Sequence, residues 1–392
     1  MYQFDERIDR YGCNQVKYDF VGRVAEGVRA DALPMWIADM DFAAYPPLIE
    51  ALQKRVERRT FGYSLHKTDE FFGAIRGWLR YRFGWEVANG DICYTPGMMT
   101  AIAFLIQGLS APGEGVVIQP PVYDSFAEVI ERNGRRVVNN PLIPREDGGY
   151  EMNLTQLEAQ LRLPENKILL LCSPHNPVGR IWREDELRRV GELCKENGVF
   201  LISDESHCDL VRRGLRHVPV QQLFPGSPLI ATCMTPSKTF SVSGFQIGYV
   251  LLQDEGLRGI WERESMKVHI FHPNALAITA LQAVYNDCRE YYERSLDYLD
   301  ENLRLVDDFL KTEMPRARYR LPEATYLCWI DLRGYGCPPQ EIMERCLYRG
   351  NVVPDPGAGF GQGGEGFIRL NAGCPRETLM EGLQRLRKAM ED

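Results

Sequence analysis

Five short stretches, GVVIQ, KILLLC, VFLIS, LIATCM and GYVLL, carry apolar residues at consecutive positions rather than at every second one. A strand with one wet face alternates, so a strand without alternation is buried on both faces. Helical patterns separate several of these stretches. The helix over 184–197 has Leu187, Val190, Leu193 and Cys194 as its inner face, at the spacing of an amphipathic helix. The segment 98–109 is apolar nearly all round, which predicts a buried helix. Doubly buried strands with helices between them give an α/β fold: a three-layer domain around a mostly parallel sheet.

The length of 392 residues leaves room for a second, smaller domain. Residues 1–45 read as an extended arm that joins that small domain, and they include the apolar-acidic segment MWIADMDF. Pro46-Pro47 opens a helix, a second helix covers 69–83, and residues 46–285 form the large domain. Beyond 285 the texture changes. A helix over 289–311 carries Leu296, Leu299, Leu303, Val306 and Leu310, and ATYLCWIDL and GFIRLN are strand-like. A last helix carries Leu379, Leu383, Leu386 and Met390. Residues 286–392 are therefore expected to be a small α+β domain.

A formal charge of −8 without a Lys/Arg block argues against nucleic acid as a partner. Eleven scattered cysteines, an odd number, read as thiols of a reducing compartment. The first residues lack the apolar region of a signal peptide, and no apolar run reaches spanning length. The expectation is a cytoplasmic protein that does not use a membrane.

In an open α/β sheet, ligands bind at the carboxyl ends of the strands. TPGMM, PPVYD, SPHNPVGR, SDESH and TPSK follow successive strands here. Lys238 sits among Thr235, Ser237 and Thr239. It is either a solvated lysine or a desolvated amine able to form a Schiff base, with hydroxyls near enough to hold a phosphate. Gly97, Met98 and Met99 open a helix whose free N–H groups suit an anion, or they make a plain turn. Tyr123 is either a stacking ring or an ordinary half-buried tyrosine. Asn176 is at home in any Pro-flanked turn. Asp204 ends an apolar run and needs a partner, for which a protonated ring nitrogen would serve. Arg369, inside FIRLN, suits a substrate carboxylate or an internal ion pair. The Cys172/His175 and His207/Cys208 spacings match no usual zinc site, and no metal is expected. GFGQGGEGF precedes a strand instead of following one, so it is a poor dinucleotide loop.

Taken in order, MWIADMDF, FGYS, PPVYDSF, LCSPHNPVGRIW, ISDESHCDL, TPSKTF and GGEGFIRLN resemble the fold-type I pyridoxal-phosphate enzymes over nearly the whole chain. More narrowly they resemble the MalY/PatB/cystalysin branch of cystathionine β-lyases and cysteine-S-conjugate β-lyases. The resemblance implies that the large domain is PLP-transferase-like and that pyridoxal 5'-phosphate is the cofactor, held on Lys238. It further implies Asp204 at the ring nitrogen, Tyr123 on the ring face, Asn176 at the ring oxygen, and His207 among the cofactor contacts. Gly97, Met98, Met99, Thr235 and Ser237 would surround the phosphate. Tyr63 would reach the phosphate of a second subunit, which implies a homodimer. Arg369 would bind the α-carboxylate of an amino-acid substrate, assisted around Ala38 and Asn176.

The implied activity is α,β-elimination from cystathionine or a cysteine S-conjugate, giving thiol, pyruvate and ammonia. An aminotransferase on the same scaffold is the alternative. Gln246 stands where aspartate-type aminotransferases have an arginine, and His207 where they have a tyrosine, and both fit the lyase branch. Ser206 replaces a more usual aliphatic residue, and VSGFQ is a loose match to the branch, so the substrate stays open.

Overall fold

The computed structural model describes residues 3–391. Seven strands build the central sheet: β1 (Ile92–Thr95), β2 (Gly115–Ile118), β3 (Arg136–Asn139), β4 (Asn166–Cys172), β5 (Phe200–Asp204), β6 (Ile230–Met234) and β7 (Gly248–Leu251). Their order across the sheet is β1-β7-β6-β5-β4-β2-β3. The pairs among β6, β5, β4, β2 and β3 are parallel. β7 is antiparallel to both its neighbours. It follows β6 after the loop 235–247, which turns the chain back beside β6 without an α-helical crossover.

The unbroken apolar runs do bury both faces. In β4, Ile168, Leu170 and Cys172 join one core, with Ile102 and Leu105 of α1 (Met98–Leu109) and Phe126. Leu169 and Leu171 point the other way and meet Leu187, Val190 and Leu193 of α2 (Glu184–Asn197). Helices therefore cover both faces, as the sequence predicts. β3, at the sheet edge, is half-exposed.

The 289–311 helix extends slightly further, as α3 (Arg289–Glu313), and the C-terminal helix is α4 (Arg376–Met390). Leu303, Val306 and Leu310 of α3 and Leu379, Leu383 and Leu386 of α4 share a second core with Ile330 and Ile368. Those two residues belong to a four-stranded antiparallel sheet of β8 (Arg318–Tyr319), β9 (Leu327–Asp331), β10 (Asp355–Pro356) and β11 (Phe367–Asn371), in the order β8-β9-β11-β10. The N-terminal segment Leu33–Pro34 pairs in parallel with Val352–Val353. Helices at Leu154–Leu161, Glu255–Lys267 and Ala275–Asp287, and the short hairpin Ile143–Pro144/Tyr150–Glu151, lie in stretches to which the sequence assigned no element.

The glycine-rich loop before β11 has a packing reason. A Cβ on Gly357 would sit 2.3 Å from the Gly364 carbonyl oxygen, and one on Gly364 would sit 2.0 Å from that of Gly357. The loop folds back on itself where only glycine fits.

Candidate active site

Parallel pairing sets Cys172, Asp204 and Cys233 side by side at the carboxyl ends of β4, β5 and β6. Beyond them lies a cavity of about 360 Å³. Its wall includes Ala38, Gly97, Met98, Met99, Tyr123, Asn176, Asp204, His207, Thr235, Ser237 and Lys238. Eleven residues singled out in the sequence, spread over two hundred positions, thus meet in one space. Cys172, Ser206, Ser243 and Gln246 also line it. Nothing in their residue types announces this, although Ser206 and Gln246 stand beside motif residues.

Lys238 follows β6 and turns its amine to the carbonyl of Ala38, 3.0 Å away. Burial lowers its pKa, and the Arg369 charge lowers it further, while Asp39 and Asp204 act in the opposite sense. The amine is thus easier to deprotonate than an ordinary lysine. Asp204 is buried, and burial pushes its carboxyl upward against the hydrogen bonds from Ser206. His207 is buried with no partner at Nδ1 among the described residues, and burial drives its pKa well below the usual imidazole range, so the ring is neutral.

At the other end of the cavity, α1 begins after Gly97. The first N–H groups of a helix have no intrahelical acceptor, and a Cβ on Gly97 would meet nothing within 4 Å. Thr235 organises the facing turn. Its hydroxyl lies 2.8 Å from the Ile247 carbonyl and accepts the Ser237 N–H at 3.1 Å. Ser237 Oγ is 2.8 Å from the same hydroxyl.

Arg369 stands just behind the wall. It donates to Asn176 Oδ1 at 3.0 Å and to the Trp36 carbonyl at 3.4 Å, and it pairs with Asp355. Its guanidinium carbon is 4.8 Å from the Phe360 ring centre. The ion-pair alternative is therefore real: β10 and β11 set Asp355 opposite Arg369. Burial raises the Asp355 carboxyl, while the Arg369 charge and its hydrogen bond act in the opposite sense. Tyr63 lies apart from this cavity. It is 95% exposed, in a surface cleft with Phe61, His269, Phe271 and His272.

The motif order and this geometry agree with a family model, aminotransferase class I and II, that matches residues 40–386. The chain belongs to that family. Within it, cystathionine beta-lyase PatB of Bacillus subtilis (strain 168) is 40% identical over 390 residues, covering 99% of each chain. Protein MalY of Escherichia coli (strain K12) is 35% identical over 392 residues, covering 100% of this chain and 99% of MalY. The crystal structure of cystalysin from Treponema denticola, which contains a pyridoxal 5'-phosphate cofactor, matches with a TM-score of 0.95 at 30% identity. That match covers 99% of this chain and 98% of cystalysin. This chain and cystalysin share one fold, which here is mixed α/β around a large, mostly parallel sheet.

Proposed function

We propose that the protein is a pyridoxal-phosphate-dependent carbon–sulfur β-lyase acting on cystathionine or a related cysteine S-conjugate. The observation that carries this is the pair of under-partnered charges at neighbouring strand ends, the half-buried Lys238 and the buried Asp204. The full-length likeness to lyases of this chemistry supports it.

The residues present fit the cofactor. Asp204 Oδ2 accepts no hydrogen bond among the described residues, which suits a protonated ring nitrogen. Lys238 suits the aldehyde carbon, Tyr123 the ring face and Asn176 the ring oxygen, with His207 alongside. Gly97, Met98, Met99, Thr235 and Ser237 would hold the phosphate. When bound, pyridoxal 5'-phosphate supplies a sink for the electron pair left on the substrate Cα.

Arg369 binds the substrate carboxylate, and this fixes which Cα bond faces Lys238. The lowered pKa of Lys238 leaves its amine free to take the Cα proton once substrate has displaced it. The Ala38 carbonyl steadies that amine. Asp204, held ionised, keeps a proton on the ring nitrogen. Loss of the sulfur group from Cβ, then hydrolysis, gives thiol, pyruvate and ammonia.

Tyr63 shares its cleft with the exposed Phe61, and the exposed Leu65 follows two positions later. A homodimer would cover them and bring Tyr63 to the partner's phosphate site. Light scattering that returns the mass of one chain would remove this arrangement. Among the described residues no helix is long and apolar enough to cross a membrane, and all eleven cysteines are free. A cytoplasmic setting is kept as part of this proposal. The division into arm (1–45), large domain (46–285) and small domain (286–392) is kept as part of this proposal.

Incubation of the holoenzyme with cystathionine and no keto acid tests the activity. Pyruvate and free thiol in equal amounts are expected. Turnover that requires a keto acid and releases no thiol would assign the site to transamination instead.

A further inference from the structure

Both hydrogen bonds that the Asp204 carboxylate accepts within the described residues come from one residue. The Ser206 N–H donates to Oδ1 at 3.0 Å, and the Ser206 hydroxyl donates to the same oxygen at 2.5 Å. Oδ2 accepts none there, and Asp204 and Ser206 both line the cavity. The carboxylate is held by one oxygen and presents the other.

We propose that Ser206 is a positioning residue whose hydroxyl holds the Asp204 carboxylate ionised, with Oδ2 turned to the cofactor's ring nitrogen. This rests on the assignment of Asp204 to that nitrogen made above. Burial opposes the charge on Asp204, and the adjacent Glu205 opposes it too, whereas the Ser206 bonds and the Lys238 amine favour it. The other groups facing it are neutral. Cys172 and Cys233, in register on either side, are thiols whose pKa burial pushes up. The Tyr123 phenol is raised by burial, and the His207 ring is kept uncharged by it.

The backbone bond from residue 206 survives most substitutions, but the hydroxyl bond needs serine or threonine. A carboxylate that keeps its charge leaves the proton on the ring nitrogen. A carboxylate of higher proton affinity takes that proton and makes the electron sink shallower. The hydroxyl of Ser206 therefore selects which atom holds the proton.

The test uses holoenzyme carrying cofactor with an isotope-labelled ring nitrogen, read by NMR, alongside steady-state kinetics and thermal unfolding. For Ser206→Ala, kcat falls roughly tenfold while KM stays within about twofold, the scale of one charge-assisted hydrogen bond lost. The acid limb of the kcat profile moves up by about one pH unit, and the ring-nitrogen resonance shifts toward its unprotonated position. Ser206→Thr restores all three. Ser206→Val, with the shape of threonine but no hydroxyl, repeats the loss and serves if the alanine variant folds poorly. A resonance that stays in place in Ser206→Ala and Ser206→Val overturns the proposal, whatever the rate does. If Asp204→Asn shifts that resonance in the same series, the Asp204 assignment survives the loss of the Ser206 role. If Asp204→Asn leaves it in place, the assignment fails and the proposal with it.

Discussion

Asp204, the last residue of β5, and Asp209, in the turn that follows, are both buried, yet the fold treats them differently. Asp209 accepts from Trp78 Nε1, Thr239 Oγ1 and Arg82 Nε, each at 3.0 Å. Between the two, Glu205 accepts from Ser203 Oγ and the Val220 N–H at 2.9 Å and meets His217 at 2.8 Å. Asp204 has Ser206 on one carboxylate oxygen and lines the cavity. Two lysines, the buried Lys17 and the half-buried Lys238, divide in the same way. Lys17 reaches both oxygens of Asp41 at 2.8 Å and the Asp39 carbonyl at 2.9 Å. Lys238 reaches one carbonyl. Where a buried charge only supports the fold, every atom is matched. Where it waits for a ligand, the match is incomplete, because burying an unpartnered charge is costly and persists only for a function.

The contrast breaks most readily through stability. Asp209→Ala is expected to destabilise the cofactor-free protein by about 3–5 kcal/mol, since it strands the Arg82 charge and frees the loop that carries Lys238. Asp204→Asn should change the same stability by less than about 1 kcal/mol, because it removes a charge that burial already penalises. Urea unfolding of both apo variants checks this. Equal losses would make the two carboxylates alike and dissolve the distinction.

A smaller effect sharpens it. Arg369→Ala should raise KM for the substrate by roughly thirtyfold or more, the low end of the ~2–5 kcal/mol of a desolvated charge pair. The change in kcat should be the lesser one. A purely structural arginine, spent on Asp355 and Asn176, would instead lower thermal stability and leave KM alone.

The residues of the site were more legible than their supports. Asp204 ends an apolar run and Lys238 follows one, so burial and chemistry collide within a few residues of sequence. The donors to Asp209 come from residues 78, 82 and 239, and no local pattern connects them. Lys17 looks like any lysine of a polar arm until Asp39 and Asp41 fold over it. The Asp355–Arg369 pair depends on the register of β10 against β11, which the runs do not encode. The sheet itself was readable because its strands needed no alternation. The hairpin at 143–151 was not, because its strands are two residues each and partly exposed.

The central claim, that the under-partnered lysine carries the cofactor, has a direct test. Purified holoenzyme is reduced with borohydride and digested, and the peptide bearing the pyridoxyl-phosphate group is located by mass spectrometry. The group is expected on Lys238, and Lys238→Ala should yield a colourless protein with no such peptide. An adduct on another lysine, or a Lys238→Ala protein that keeps the visible absorbance of the native enzyme, would contradict the account.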